Sequence, residues 1–116
     1  MTIPKQFLDE NYRLNYSFFM DETGTMKPEI IETFGCGETY ESLTADRGKN
    51  AVVLLAALNK ILPYTVICTH VVDIQECGEW MKENVHDGWQ IIFDGDKNKF
   101  RFARWPDALN FKMAWT

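Results

Sequence analysis

Five side chains in this chain are soft enough to bind a metal or attack an electrophile: Cys36, Cys68, His70, Cys77 and His86. Cys68 and His70 stand two apart in a run that reads as a strand, so both would point to one face and could share an ion. Structural zinc, however, draws on closely spaced pairs such as C-x2-C, and every other candidate here is several residues away. We therefore expect buried thiols and ordinary imidazoles, with no metal and no other cofactor. The same residues could form a Cys–His nucleophile. Cys36, between Gly35 and Gly37, is the thiol that a glycine turn would expose, and His70 or His86 would have to stand beside it. No third residue that would orient the imidazole is evident, which leaves a thiol-dependent enzyme as the third reading.

Phosphate and cation motifs fare no better. Gly35-Cys36-Gly37-Glu38-Thr39-Tyr40 opens like a dinucleotide fingerprint, but Tyr40 stands where a third glycine must allow close packing. Glu38 and Glu41 would also repel a phosphate. Asp94-Gly95-Asp96-Lys97-Asn98 imitates a calcium loop, yet Lys99 replaces its glycine and Trp105 its bidentate glutamate, leaving a polar turn. Lys97, Lys99 and Arg101 alternate along a predicted strand with Arg104 close by, while Phe100 and Phe102 point the other way. A single-stranded nucleic-acid platform wants bases and aromatics on one open surface. The phenylalanines are thus expected in the core and the bases in a solvated, edge-protecting row. If the protein sequesters a nucleotide, Lys99, Arg101 and Arg104 are the residues that would hold its phosphate.

Two further groups suit a docking surface. Glu76, Glu79 and Glu83, with Asp87, fall on the outer side of a predicted helix, and with Glu38 and Glu41 they would face Arg or Lys on another protein. Four tryptophans are many for so short a chain. Trp89 and Trp105 are the ones we expect to anchor a partner, since large aromatics dominate interface energetics.

The elements that must position these groups follow from periodicity and punctuation. Residues 4–13 read as a helix with Pro4 at its first turn and Phe7, Leu8 and Tyr12 on one face. Residues 14–20 read as extended, and Asp21-Glu22-Thr23-Gly24 as a turn. Glu29 to Phe34 is a short helix stopped by Gly35 or the return strand of a hairpin. Ala51 to Leu62 is a helix capped by Asn50, burying Val52, Leu55, Ala56, Leu58 and Ile61 and ended by Pro63. Tyr64 to Val72 is a buried strand. Asp73 caps a helix over 74–85, with Glu76 at capping-box spacing and Ile74, Cys77, Trp80 and Met81 inward. A hairpin joins Trp89–Phe93 to Lys99–Ala103. A last helix over 106–114 buries Ala108, Leu109, Phe111 and Met113. The order specifies an α+β fold: one compact domain over 1–116, with a small, mainly antiparallel sheet packed against two or three helices.

Composition sets the outer limits. The 116 residues carry a net charge of −5 and are 46% hydrophobic, which excludes a disordered chain, a collagen and a coiled coil. The acidic balance counts against a nucleic-acid partner. Residues 1–46 hold nine acids and three bases, so the acidity is concentrated at the front. Three cysteines, an odd number without a C-x-x-C pair, fit a reducing, cytoplasmic setting. The longest apolar run, Ala51 to Leu58, is too short to span a bilayer.

Glu79-Trp80-Met81-Lys82-Glu83-Asn84, then a hairpin, then Phe102, Asp107-Ala108 and Phe111-Lys112-Met113-Ala114-Trp115 resemble small uncharacterised proteins of tailed bacteriophages. The resemblance covers about forty residues and carries no active residue with it. It implies a virus-encoded accessory protein working inside a bacterial host. The leading expectation is a non-enzymatic interaction module that binds and blocks a host or defence protein bearing a basic surface. A nucleotide-binding or nucleotide-sequestering protein is the alternative. Self-association is compatible with a small aromatic-rich domain, but no feature of the sequence specifies its symmetry.

Overall fold

The computed structural model describes residues 3–68, 73–94 and 97–116. His70, the end of the strand run to Val72, and the centre of the Asp94–Asn98 turn lie outside them. The fold is α+β: among the described residues there are five α-helices, two single 3-10 turns and a three-stranded antiparallel sheet. It divides into two compact units, one of Met1–Leu14 with Ile61–Thr116 and one of Asn15–Lys60.

The first unit holds the sheet. Strands β1 (Tyr64–Cys68), β2 (Trp89–Asp94) and β3 (Lys97–Phe102) lie in the order β1-β3-β2, so β3 is central. Register aligns Val66, Phe100 and Ile91 in one row and Tyr64, Phe102 and Trp89 in the next. Helix α4 (Ile74–Asn84) opens at Asp73, whose carboxylate accepts from the Gln75 and Glu76 amides. It buries Cys77 and Met81 and leaves Glu76, Glu79 and Glu83 in water, as its pattern foretold. Helix α5 (Trp105–Trp115) packs on β1 and β3, and the Phe111 ring meets Phe100 at 4.4 Å, Phe102 at 5.5 Å and Trp80 at 5.7 Å.

The helix expected over 4–13 is absent. Only Lys5–Phe7 forms a 3-10 turn, and Leu8 then bridges Leu14. The cause is Asp9, whose carboxylate accepts from the backbone of Asn11 at 2.8 Å and Arg13 at 2.9 Å. An aspartate that bonds its own neighbours offers the chain a turn in place of a helix. Tyr12 absorbs the reversal at φ 66°.

The second unit contains α1 (Pro28–Phe34), α2 (Tyr40–Ala45) and all but the last residue of α3 (Arg47–Ile61). Residues 14–20 are not a strand: the Asn15 side chain accepts from the Ser17 amide and folds Tyr16–Phe18 into a 3-10 turn. The Glu29–Phe34 ambiguity resolves as helix, with Pro28 at its start. Gly35 ends it by donating to the Ile31 carbonyl at 2.7 Å, where a Cβ would stand 2.4 Å from that same oxygen. Thr39 and Ser42 form a reciprocal capping box on α2, a T-x-x-S variant that our reading passed over.

Helix α3 begins four residues earlier than expected. Asp46, not Asn50, accepts from the first-turn amides of Gly48 and Lys49. Asn50 is buried inside the helix and ties down the preceding hairpin. Its Oδ1 accepts from the Met26 amide at 2.9 Å and its Nδ2 donates to the Gly24 carbonyl at 2.8 Å. The inward stripe therefore runs Asn50, Val53, Ala57, Leu58, Ile61, and Val52 and Leu55 face water at 67% and 51% exposure.

Replacing Asn50 by Ala leaves the buried Met26 amide without its partner and takes from the Gly24 carbonyl its shorter bond, leaving only Arg47 at 3.5 Å, a loss on the order of 1–3 kcal/mol. Val52→Ala should cost no more than about 0.5 kcal/mol, because the side chain is already in water. Urea denaturation should show a large fall in midpoint for the first and almost none for the second; comparable shifts would refute the burial pattern.

Candidate functional site

The most unusual surface of the molecule is on α5. The helix starts after Arg104, with Pro106 in its first turn, and is apolar on more than one side. Ala108 and Phe111 are buried, as expected. Leu109 and Met113 are not: they are 39% and 72% exposed and align with Trp105 at 55%. Helical geometry explains the correction. Residues 105, 109 and 113 recur every fourth position and drift by about 40° per step, so they form one stripe. Phe111 lies two residues beyond Leu109 and hence about 160° round the axis, so seating Phe111 on the sheet turns Leu109 outward. Tyr64 on β1, 38% exposed, widens the stripe by packing against Trp105 with ring centroids 5.8 Å apart. Four large apolar side chains thus share one surface of the first unit.

Trp89, expected beside Trp105 as an anchor, is in the core at 3% exposure. Its indole Nε1 donates to the Asn11 carbonyl at 2.8 Å, and the Arg13 guanidinium lies 5.5 Å from its ring centre. Strand register puts it on the same face as Phe102, so a strand-initial Trp became an interior one.

The acidic residues divide into two kinds. Glu76, Glu79 and Glu83 form an exposed row on α4, and Glu41 is exposed in the first turn of α2. Glu38 is committed within the second unit, accepting from the Ser42 hydroxyl at 2.6 Å and standing 3.9 Å from the Lys49 ammonium.

The basic residues do not gather round a phosphate. Arg101 is buried and donates to the Leu62 carbonyl at 3.1 Å. Arg104 is exposed and paired with Asp87 at 3.1 Å. Lys99 lies half-buried in the middle strand, between Ile67 and Ile92. The expected edge-protecting row is therefore not at an edge. Alternation had placed these side chains on one face correctly, but the order β1-β3-β2 put that face in the centre of the sheet.

Two of the three thiols belong to the core of the first unit and the third to the second unit. Cys68 and Cys77 are buried in the first unit, and burial pushes both thiols up, Cys77 to about 11 with Cys68 adding to the shift. Buried, protonated thiols of this kind are poor nucleophiles at neutral pH. Cys36 is exposed at φ 50° in the second unit, whereas His86 belongs to the first. Among the described residues no three His, Cys, Asp or Glu side chains are grouped to hold a metal, and no helix is long and apolar enough to cross a membrane.

Among the concavities of the second unit are two lined wholly by its own residues. One of about 200 Å³ is lined by Phe34, Cys36, Val52, Val53 and Ala56, with the Glu38–Lys49 pair among its walls. The other, a wide depression of about 710 Å³, is bounded by Tyr16, Met20 and the Asp21–Gly24 turn. Asp21 organises that turn: its Oδ1 accepts from the Thr23 hydroxyl at 2.6 Å and amide at 2.9 Å, and its Oδ2 accepts from the Tyr40 hydroxyl. The Thr23 and Tyr40 hydroxyls hold its carboxyl down at about 2. This carboxylate is a structural acceptor, with both of its oxygens engaged inside the fold.

The chain matches no protein-family model, no curated protein and no solved structure. The site must therefore be read from its own chemistry.

Asp21 gives a pH prediction. Its folded pKa lies below the unfolded value of about 3.9, so its stabilisation is full above pH 4 and is lost as pH falls toward 2. Tyr40→Phe removes one of the two hydroxyl donors, so stability should fall most above pH 4, where the carboxylate is ionised, and the acid-unfolding midpoint should move to higher pH. Circular dichroism from pH 6 downward measures this, and an unshifted midpoint would contradict it.

Proposed function

We propose that this chain is a non-enzymatic protein-interaction module. The observation that carries this reading is the stripe of Trp105, Leu109 and Met113, extended by Tyr64, which leaves contiguous apolar surface in water on a helix whose Ala108 and Phe111 are buried against the sheet. Folding gains free energy by removing such side chains from water, at roughly 1.5–3 kcal/mol for a fully buried Leu, Phe or Met. A sequence that leaves several together has a surface suited to another macromolecule. Its composition fits an interface core: an aromatic anchor, a methionine that adapts its shape, and little charge.

The acidic row Glu76, Glu79 and Glu83 lies on a separate helix of the same unit and has a different role. Exposed like charges act at a distance, raising the encounter rate with a basic partner surface more than the final affinity. Together the two surfaces describe a steric blocker: steering by α4, contact energy from α5. The resemblance of the C-terminal third to proteins of tailed bacteriophages supports a host protein as the target and the bacterial cytoplasm as the place of action. Arg101 and Arg104 are each engaged within the protein, so the geometry does not favour the nucleotide-sequestering reading.

Two sets of variants test the module separately. With a partner captured from host lysate, Trp105→Ala with Leu109→Ser should weaken binding at least tenfold, mainly by faster dissociation. Neutralising Glu76, Glu79 and Glu83 to Gln should slow association and flatten its dependence on salt, with little change in dissociation. Surface plasmon resonance across a salt series distinguishes them. Binding that ignores both sets of changes would refute the proposal.

A further inference from the structure

The stripe also specifies what it fits. Resting on the reading of α5 as a contact surface, we infer that its occupant is α5 of a second copy of this chain, antiparallel across a two-fold axis at Leu109.

Three features of the helix lead there. The first is spacing. Trp105, Leu109 and Met113 are a ridge of the i, i+4 kind, and two such ridges interdigitate in the commonest class of helix packing, at a crossing angle near −50°. Read in the opposite direction, the ridge has the same spacing. A two-fold axis at Leu109 sets each Trp105 indole against the partner copy's Met113 thioether, a flat aromatic against a flexible sulfur side chain, and Leu109 against its own equivalent. Sulfur–aromatic contact of this kind is favourable. A C2 pair of this sort is closed, so it ends at two copies.

The second feature is charge. A partner selected by electrostatics would find little to read on this face. The remaining exposed residues on it are Pro106, Asn110 and Lys112, and the exposed acids of the same unit, Glu76, Glu79 and Glu83, are on α4. Arg104 is paired with Asp87. In the two-fold pair the two Lys112 residues stand roughly 9 Å apart along the helices, close to the screening length at physiological salt. The face therefore meets itself without a serious like-charge cost.

The third feature is area. The unburied parts of Tyr64, Trp105, Leu109 and Met113 amount to on the order of 400 Å². With their bordering residues, two such faces bury about 1,000 Å² in total, at the small end of specific interfaces. The pair is thus reversible, with a dissociation constant roughly in the micromolar range. The pair covers the stripe, so a foreign protein that uses α5 binds the single copy and competes with self-pairing, while the α4 row remains exposed in both states.

Sedimentation equilibrium of the full chain, from micromolar to millimolar concentration, tests the inference. The average mass should rise from one copy toward two. Leu109→Glu puts two carboxylates at the axis and should raise the dissociation constant at least tenfold, while Val52→Glu on α3 leaves it unchanged. As a second measure, Leu109→Cys in a Cys36→Ser background should crosslink to itself when diamide takes two electrons and two protons from the paired thiols. A single-copy mass at every concentration, a dimer indifferent to Leu109→Glu, or no crosslink would overturn the inference. If the chain is monomeric but Leu109→Glu still abolishes capture of a foreign protein, the stripe is a docking surface for that protein and only the self-pairing fails. If the chain is monomeric and capture is unaffected, the module reading fails with it.

Discussion

The placement of one ring, Phe111, sets the character of this protein's surface. It lies against Phe100 and Phe102 on the central strand and against Trp80 of α4, so the sheet and both of its helices meet at that side chain. A helix has one inward direction, and the largest gain comes from giving it to the residue that fills the aromatic gap. Once Phe111 has it, Ala108 follows it inward and Trp105, Leu109 and Met113 must turn away. The exposed stripe is the geometric consequence of a well-filled core in a helix with more apolar residues than one face can hold.

The same economy appears in the second unit. Asn50 is a polar residue on the buried side of α3, and its amide holds both the Met26 N–H and the Gly24 carbonyl. Asp21 ties the 21–25 turn to Tyr40. Polar side chains that might pass for a cap or a surface acid are here internal fastenings. A carboxylate or amide whose hydrogen-bonding capacity is spent inside the fold has little left for a ligand. That argument removes Glu38 from the functional list, as hydrogen bonding removes Arg101, while leaving Glu41, Glu76, Glu79 and Glu83.

The proposed function is one of surface rather than of reaction. In that proposal contact and steering fall to different helices of the first unit, α5 uncharged along its ridge and α4 acidic along its outer side. This division allows affinity and encounter rate to vary independently, since apolar contact acts mainly on dissociation and long-range charge on association.

The α+β class, the chain positions of α4, β2 and β3, the stop at Pro63 and the acidic row were legible in the residues themselves, because each depends on local periodicity or a local cap. Phe100 and Phe102 were placed inside by simple alternation. What the sequence could not supply was direction in space. Asp9 and Asn15 rewrote the first twenty residues through side-chain bonds that compete with regular structure. Helix α3 turned its polar Asn50 inward and its Val52 outward, because the hairpin at Gly24–Met26 needed an amide more than another methyl. Strand order made the basic row central, and strand register, which aligns Trp89 with Phe102, sent that indole to the core. Apolar content counts how many side chains would prefer to be buried; only the tertiary structure, by limiting how many can reach one sheet, decided that Trp105, Leu109 and Met113 would be left in water.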